Sequence, residues 1–108
     1  MNRTFRVALA MLTLAAAPWV HAQAQAQTDT TLARNLAATC ANCHGTNGAA
    51  RGDMKSLAGV SAGKITAMVA DYKSGAQPAT IMHQIAKGYT DEQIKLIAAY
   101  LAAQPAKP

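Results

Sequence analysis

The residues most able to do chemistry in this sequence stand together in the pentapeptide Cys40-Ala41-Asn42-Cys43-His44. Two cysteines three positions apart at the end of a helix place both sulfurs on one side of a turn, where they can add to the two vinyl groups of one haem. The histidine that follows is then held against the ring, so that an imidazole nitrogen reaches the iron. The spacing therefore predicts covalent attachment of one haem c through Cys40 and Cys43, with His44 as an axial ligand of its iron.

Three other interpretations of the two cysteines are weaker. A thioredoxin-like dithiol requires a βαβ setting, which the sequence lacks. A tetrahedral zinc site needs further Cys or His ligands at suitable spacing, and only His83 remains to offer one. A structural disulfide is compatible with an exported protein, but it does not explain the histidine at the fifth position.

The iron needs a second axial ligand, and the sequence offers four candidates: Met54, Met68, Met82 and His83. Met68 belongs to the regular apolar stripe of a predicted helix, so core packing accounts for it. Met54 lies only ten residues beyond His44, which is a short distance for reaching the opposite face of the ring. Met82 lies 38 residues beyond His44, past a complete predicted helix and a turn. The residues alone therefore favour Met82, with His83 and Met54 as open alternatives.

The first 22 residues have the features of a secretory signal peptide. Arg3 and Arg6 form a basic start, and residues 7–17 are almost wholly apolar. Small residues at alternate positions allow cleavage after Ala22, Ala24 or Ala26, of which Ala22 is favoured. The apolar run is shorter than the ~20 residues needed to span a hydrocarbon core, so we expect no stable membrane insertion. The sequence therefore predicts a periplasmic protein with four parts: a cleaved signal peptide (1–22), a flexible amino terminus (23–28), a functional domain (29–104) and a tail (105–108).

Removal of the leader changes what the composition implies. The formal charge falls from +5 to +3 as Arg3 and Arg6 leave, and the remaining basic residues form no run, so we expect no nucleic-acid partner. About 86 residues remain, a size at which the apolar surface buried on folding is marginal. Three tyrosines are then the only large aromatic side chains. A bulky planar cofactor would supply the missing apolar volume.

Apolar positions recur with helical spacing through the rest of the chain, which predicts an all-α fold with no strand. The glycine-rich stretch 45–59 has little periodicity and is predicted to be a loop. Thr90 and Gln93 form a capping-box pair at the start of the last helix. The predicted helices run from about Asp29 into Cys40, from Ser61 to Gly75, over Thr80–Lys87, and from Thr90 to a stop before Pro105.

This arrangement resembles the class I cytochromes c over nearly all of the mature chain. The likeness rests on the first helix running into Cys-x-x-Cys-His, a loop with Leu57-Ala58-Gly59, a middle helix, a methionine, and a last helix ending Ala98-Ala99-Tyr100-Leu101. More narrowly, the chain resembles the cytochrome subunit of flavocytochrome c sulfide dehydrogenase. The segments that carry this likeness are 39–48, Tyr72-Lys73-Ser74-Gly75, Thr80-Ile81-Met82 and Ile85-Ala86-Lys87-Gly88-Tyr89.

The resemblance implies a small single-domain class I cytochrome c fold, with helices wrapped around one covalently bound haem. It also implies that Met82 is the sixth iron ligand and that the first and last helices cross, with Ala33 and Ala37 near Tyr100. The family often has prolines in the loop after the motif, and here the stretch 49–53 has none. With a single attachment motif, the chain is expected to be a single-haem member.

The expected function is one-electron transfer rather than enzymatic catalysis, because an iron with both axial positions filled changes oxidation state without binding substrate. The narrower resemblance implies a flavoprotein dehydrogenase that oxidises sulfide as the electron donor, with a separate downstream acceptor. One alternative is a free carrier to a terminal oxidase. A second is a haem enzyme or sensor with an open sixth position.

The predicted surroundings of the haem combine an apolar pocket with lysines that steer an acidic partner toward an exposed haem edge. The predicted pocket residues are Leu57, Ile65, Met68, Val69, Ile81 and Ile97. The predicted steering lysines are Lys55, Lys73 and Lys87.

Overall fold

The computed structural model describes residues 29–106, and within this range the chain forms helices and loops with no strand. Two single 3-10 turns, Ala38–Cys40 and Thr46–Gly48, flank the second helix. The predicted all-α fold is confirmed. The helices are α1 (residues 29–37), α2 (Ala41–His44), α3 (Ala62–Ser74), α4 (Met82–Lys87) and α5 (Asp91–Ala102).

The predicted signal peptide (1–22) and flexible amino terminus (23–28) lie outside the described residues, as do the last two residues of the tail. Among residues 29–106, none of the helices combines the length and the apolar character needed to cross a bilayer.

The ends of α3 and α5 follow from their sequences. Gly75 ends α3 in the left-handed conformation, at φ +84°, as its position after the last helical residue predicts. Ser61 precedes α3 as predicted, but its side chain makes no capping hydrogen bond. At α5 the predicted capping box is present: the Gln93 backbone N–H donates to Thr90 Oγ1 at 3.2 Å, and the Thr90 backbone N–H donates to Gln93 Oε1 at 2.9 Å.

Two predictions of local structure were wrong, one on the start of a helix and one on a stretch of loop. The helix predicted over Thr80–Lys87 begins at Met82, because Ile81 has a non-helical φ of −136° and its carbonyl is the first to accept an i+4 hydrogen bond, from the Ile85 N–H. The stretch 45–59, predicted to be loop throughout, contains the 3-10 turn Thr46–Gly48. That turn is closed by the Ala49 N–H, which donates to the Thr46 carbonyl at 3.1 Å.

The core lies where α1, α3 and α5 meet. It consists of alanine, isoleucine and leucine side chains rather than large aromatic ones, as the composition predicts. Ala37 on α1 packs in the same buried cluster as α5, so the small residues of α1 allow the close approach expected of them. Leu32 on α1 is 45% exposed and takes no part in the cluster. The buried cluster is Ala37, Ile65, Ile94, Ile97, Ala98 and Leu101.

A lysine of α3 fixes the start of α5. Lys73 Nζ donates to the Tyr89 carbonyl at 2.8 Å and to Asp91 Oδ1 at 3.0 Å. The Lys73 ammonium beside Asp91 holds the pKa of that carboxyl below its usual value. These contacts tie the connection between α4 and α5 to α3.

Candidate functional site

Two adjoining cavities, of about 160 and 190 Å³, lie between α2, the loop after it, α3 and α4. The second cavity also reaches α5 through Ile94, Ile97 and Leu101. Both cavities have almost wholly apolar walls. Their shared boundary is lined by His44, Leu57, Ile65, Val69 and Met82.

His44, the last residue of α2, is held in one tautomer by the loop that follows it. Its Nδ1 lies 2.7 Å from the Lys55 carbonyl oxygen. Because a carbonyl only accepts hydrogen bonds, Nδ1 must carry the proton and donate. The lone pair then resides on Nε2, which is the atom a metal would bind, and such an orienting hydrogen bond is what metal-ligating histidines usually have.

The loop that supplies this carbonyl is closed on Gly48. The Leu57 and Ala58 N–H groups both donate to the Gly48 carbonyl, at 2.8 and 3.1 Å. Within the loop, the Ala50 N–H donates to Ser56 Oγ at 3.1 Å. These hydrogen bonds fix the ends of the loop that carries the Lys55 carbonyl.

Cys40 and Cys43 both line the second cavity and are free thiols. Cys40 is half-buried, and this burial raises the pKa of its thiol despite a hydrogen bond with the backbone that acts in the opposite direction. Cys43 is exposed. Within residues 29–106, no three His, Cys, Asp or Glu side chains are grouped so that they could hold a metal ion, which a zinc site at these cysteines would require.

The four candidates for the second axial ligand occupy different positions. Met82 lines both cavities, as His44 does. Met68 lines only the first cavity, and Met54, which is 47% exposed, lines only the second. His83 lines neither; it lies at a separate polar pocket, where its Nδ1 is buried without a hydrogen-bond partner among the described residues. Met82 is therefore the candidate that shares the boundary between the cavities with His44.

The six residues predicted to form the apolar pocket all line one or both cavities. Of the three lysines predicted to steer a partner, one lines either cavity. Lys55 lines the first cavity, whereas Lys73 is bound to Asp91 and Lys87 lies at the separate polar pocket. Lys64, which sequence reasoning did not single out, also lines the first cavity. The signal that could have indicated Lys64 from the sequence is its position in the first turn of α3, one residue before the buried Ile65.

A second contact missed from the sequence joins the last helix to the turn after the cysteines. Tyr100 Oη donates to Asn47 Oδ1 at 2.7 Å. Asn47 has a φ of +56°, the left-handed conformation that asparagine tolerates better than most residues. The two residues are 53 positions apart, so no local pattern indicates their pairing.

Comparison with known proteins identifies the class. The family model for cytochrome c oxidase, cbb3-type, subunit III matches residues 27–101, more than half of the sequence. The chain belongs to this family. It carries a cytochrome c electron-transfer domain, and the predicted membership of the class I cytochromes c is confirmed.

The similar proteins are named as a cytochrome subunit, an electron acceptor and a cytochrome c. The chain is 43% identical over 65 residues to the cytochrome subunit of sulfide dehydrogenase of Chlorobaculum tepidum, an alignment covering 60% of this chain and 59% of that protein. It is 40% identical over 76 residues to a thiosulfate dehydrogenase electron acceptor of Stutzerimonas stutzeri, covering 68% and 35%. It is 39% identical over 64 residues to cytochrome c-552 of Acidithiobacillus ferridurans, covering 59% and 28%. The alignments therefore span less than two thirds of each relative.

Family membership implies a haem c with its iron, and the residues around the two cavities fit that group. Two thiols open onto one end of the cavity pair, while an imidazole with an available Nε2 and a thioether line both cavities. Soft sulfur and imidazole donors are the axial ligands of haem iron in cytochromes c. The remaining walls are almost wholly apolar, as a porphyrin ring requires.

Proposed function

We propose that this chain is a periplasmic, single-haem cytochrome that transfers one electron at a time. In this proposal Cys40 and Cys43 bind the haem covalently, and His44 and Met82 are the two axial ligands of the iron. The observation that carries it is the placement of His44 and Met82, which share the boundary of two apolar cavities while both cysteines open onto one of them.

The haem supplies a ferric/ferrous couple that takes up and releases one electron, and a methionine ligand raises its potential relative to two histidines. The protein's own residues provide the setting for that couple. The Lys55 carbonyl holds His44 in the tautomer that leaves Nε2 available. Leu57, Ile65 and Val69 exclude water from the shared boundary. Met82 fills the remaining axial position, which leaves no open site for a substrate.

The test of the ligand pair is a reduced-minus-oxidised visible spectrum of protein matured in the periplasm, including the weak band at the red end that reports a methionine–iron bond. We expect the band in the wild-type protein, its loss in Met82→Ala, and its retention in Met68→Ala, the matched control that lines only one cavity. A Met82→Ala variant that keeps the band would refute the assignment and favour another methionine, Met54, as the ligand. A wild-type spectrum without it would favour His83 as the ligand, or a haem enzyme or sensor with an open site.

Covalent attachment is tested separately. We expect the haem to remain with the chain after acidic organic extraction and on a denaturing gel, because a thioether bond survives unfolding. The double variant Cys40→Ala/Cys43→Ala should lose it. Haem that is extracted from the wild-type protein would contradict attachment, and stoichiometric iron analysis would reveal any departure from one haem per chain.

The proposed electron donor is a flavoprotein dehydrogenase that oxidises sulfide, and the electrons pass onward to a separate acceptor. The likeness to the cytochrome subunit of a sulfide dehydrogenase supports this donor. The experiment follows reduction of the ferric protein by sulfide with and without the host's flavoprotein. Strong acceleration by the flavoprotein is expected; equal rates would contradict this donor. Acceleration by a thiosulfate-oxidising enzyme instead would favour the role named for the Stutzerimonas relative.

A second candidate function is a carrier that delivers electrons to a terminal oxidase, which the description of the matched family favours. Oxidation of the ferrous protein by host membranes, with and without an inhibitor of the terminal oxidase, distinguishes the two. Rapid inhibitor-sensitive oxidation together with no response to the flavoprotein would favour the oxidase carrier. Localisation is tested by fractionation, with the haem protein expected in the periplasmic fraction.

A further inference from the structure

The two cavities differ in charge, and this difference assigns an orientation to the haem. Lys55 and Lys64 line the first cavity, and no aspartate or glutamate of residues 29–106 does. The second cavity, onto which Cys40 and Cys43 open, is lined by no lysine, arginine, aspartate or glutamate in the described part of the chain. Positive charge is therefore confined to the end of the site away from the cysteines.

The edge of a haem is chemically asymmetric in the same way. Its two vinyl groups lie on one half of the ring, and its two propionate carboxylates lie on the opposite half. If the vinyl groups bond to Cys40 and Cys43 at the second cavity, the propionates must extend into the first. Carboxylates placed against an apolar wall are costly unless cationic or hydrogen-bonding groups accompany them.

We propose that Lys55 and Lys64 bind the two haem propionates in the first cavity. The proposal rests on the proposed function, because it needs the haem attached through Cys40 and Cys43. Lys55 comes from the loop whose carbonyl orients His44, and Lys64 comes from the first turn of α3. A propionate pair between them ties the loop to the helix across the haem edge.

Both ammonium groups are available for this role. Neither Lys55 nor Lys64 forms an ion pair or side-chain hydrogen bond among the described residues, and both residues are exposed, so their side chains can turn toward the cavity mouth. Lys73 and Lys95, in contrast, already pair with carboxylates of α5. Ser56 and Tyr72 add hydroxyl groups to the wall of the same cavity.

Binding of the propionates by lysines has a measurable electrostatic consequence. The ferric haem carries one more positive charge than the ferrous haem, so a nearby ammonium disfavours the oxidised state. A unit charge on the order of 12 Å from the iron, at an effective dielectric constant of roughly 20 to 40, changes the oxidised-to-reduced equilibrium by roughly threefold to tenfold. Loss of one lysine should shift the midpoint potential downward by the corresponding amount.

The experiment uses the haem-loaded protein and four variants: Lys64→Gln, Lys55→Gln, Lys64→Arg and, as the matched control, Lys87→Gln. Lys87 is exposed and lines neither haem cavity. The first readout is the propionate bending band in the resonance Raman spectrum, which responds to groups bonded to the propionates. The second is the midpoint potential from a spectroscopic redox titration at fixed pH.

We expect Lys64→Gln to shift the propionate band and lower the midpoint potential. Lys64→Arg, which keeps the positive charge, should keep both close to the wild-type values. Lys87→Gln should leave the band unchanged. Lys55→Gln should act as Lys64→Gln does. An unchanged propionate band in Lys64→Gln and Lys55→Gln would overturn the proposal, even if the potential moved. If those variants still contain covalent haem and show the red band, the proposed function stands without the propionate contacts. A wild-type chain that lacks covalent haem would overturn both the proposed function and the propionate proposal.

Discussion

Gly48 is where the loop around the proposed haem site is anchored, and replacing it with alanine tests that architecture. Its φ of +78° lies in the left-handed region, where an L side chain costs roughly 1–2 kcal/mol. A Cβ built there would also lie 2.8 Å from the Ala58 nitrogen and 2.9 Å from Leu101 Cδ2. Those distances are shorter than real Cβ contacts allow.

Neither neighbour can easily move away. The Ala58 N–H donates its hydrogen bond to the Gly48 carbonyl itself, and Leu101 is 1% exposed in the core. Overpacking of this kind costs about 1–3 kcal/mol in addition to the backbone strain. We therefore expect Gly48→Ala to lower the free energy of unfolding by roughly 2–5 kcal/mol in all.

Gly52→Ala is the matched control. Gly52 lies in the same loop with a φ of +63°, but among residues 29–106 no atom beyond Gly52 and its chain neighbours lies within 4 Å of the position its Cβ would take. Its replacement should cost only the backbone strain, roughly 1–2 kcal/mol. The measurement is urea unfolding of the ferric haem-loaded protein, followed by far-ultraviolet circular dichroism. Equal losses for Gly48→Ala and Gly52→Ala would refute the close approach of the loop to Ala58 and Leu101.

Two further contacts make predictions. Tyr100→Phe removes the hydrogen bond to Asn47 and should lower the free energy of unfolding by about 0.5–1.5 kcal/mol in the same assay. The control is Tyr89→Phe, which should change the free energy of unfolding less, because the Tyr89 hydroxyl makes no hydrogen bond within the described residues. A greater loss from Tyr89→Phe would contradict this. Asp91→Asn tests the pH dependence. Because Lys73 lowers the pKa of Asp91 in the folded protein, the pair stabilises the fold above the unfolded pKa of about 4 and loses its effect as pH falls through the lower folded pKa. The wild-type protein should therefore be the more stable at pH 6, and the difference should disappear in acid. A difference that persists at the lowest pH, or an equal effect of the exposed Asp53→Asn, would contradict this role.

Much of the fold could be predicted from local signals. The last helix is specified by Thr90 and Gln93, because a capping box satisfies backbone donors within one turn. Gly75 specifies the end of α3 in the same local manner. The start of α4 was predicted two residues early, because Ile81 departs from helical φ in a way that no residue type in the segment indicates.

The sequence by itself determined the proposed haem-attachment motif, since the spacing of Cys40, Cys43 and His44 is a property of five consecutive residues. It also determined the all-α fold, because helical periodicity is a property of the chain. Only the tertiary structure decided which distant groups meet that motif. It set Met82 at the shared boundary of the cavities and His83 at another pocket, although the two are neighbours in sequence, because successive residues of a helix face different directions.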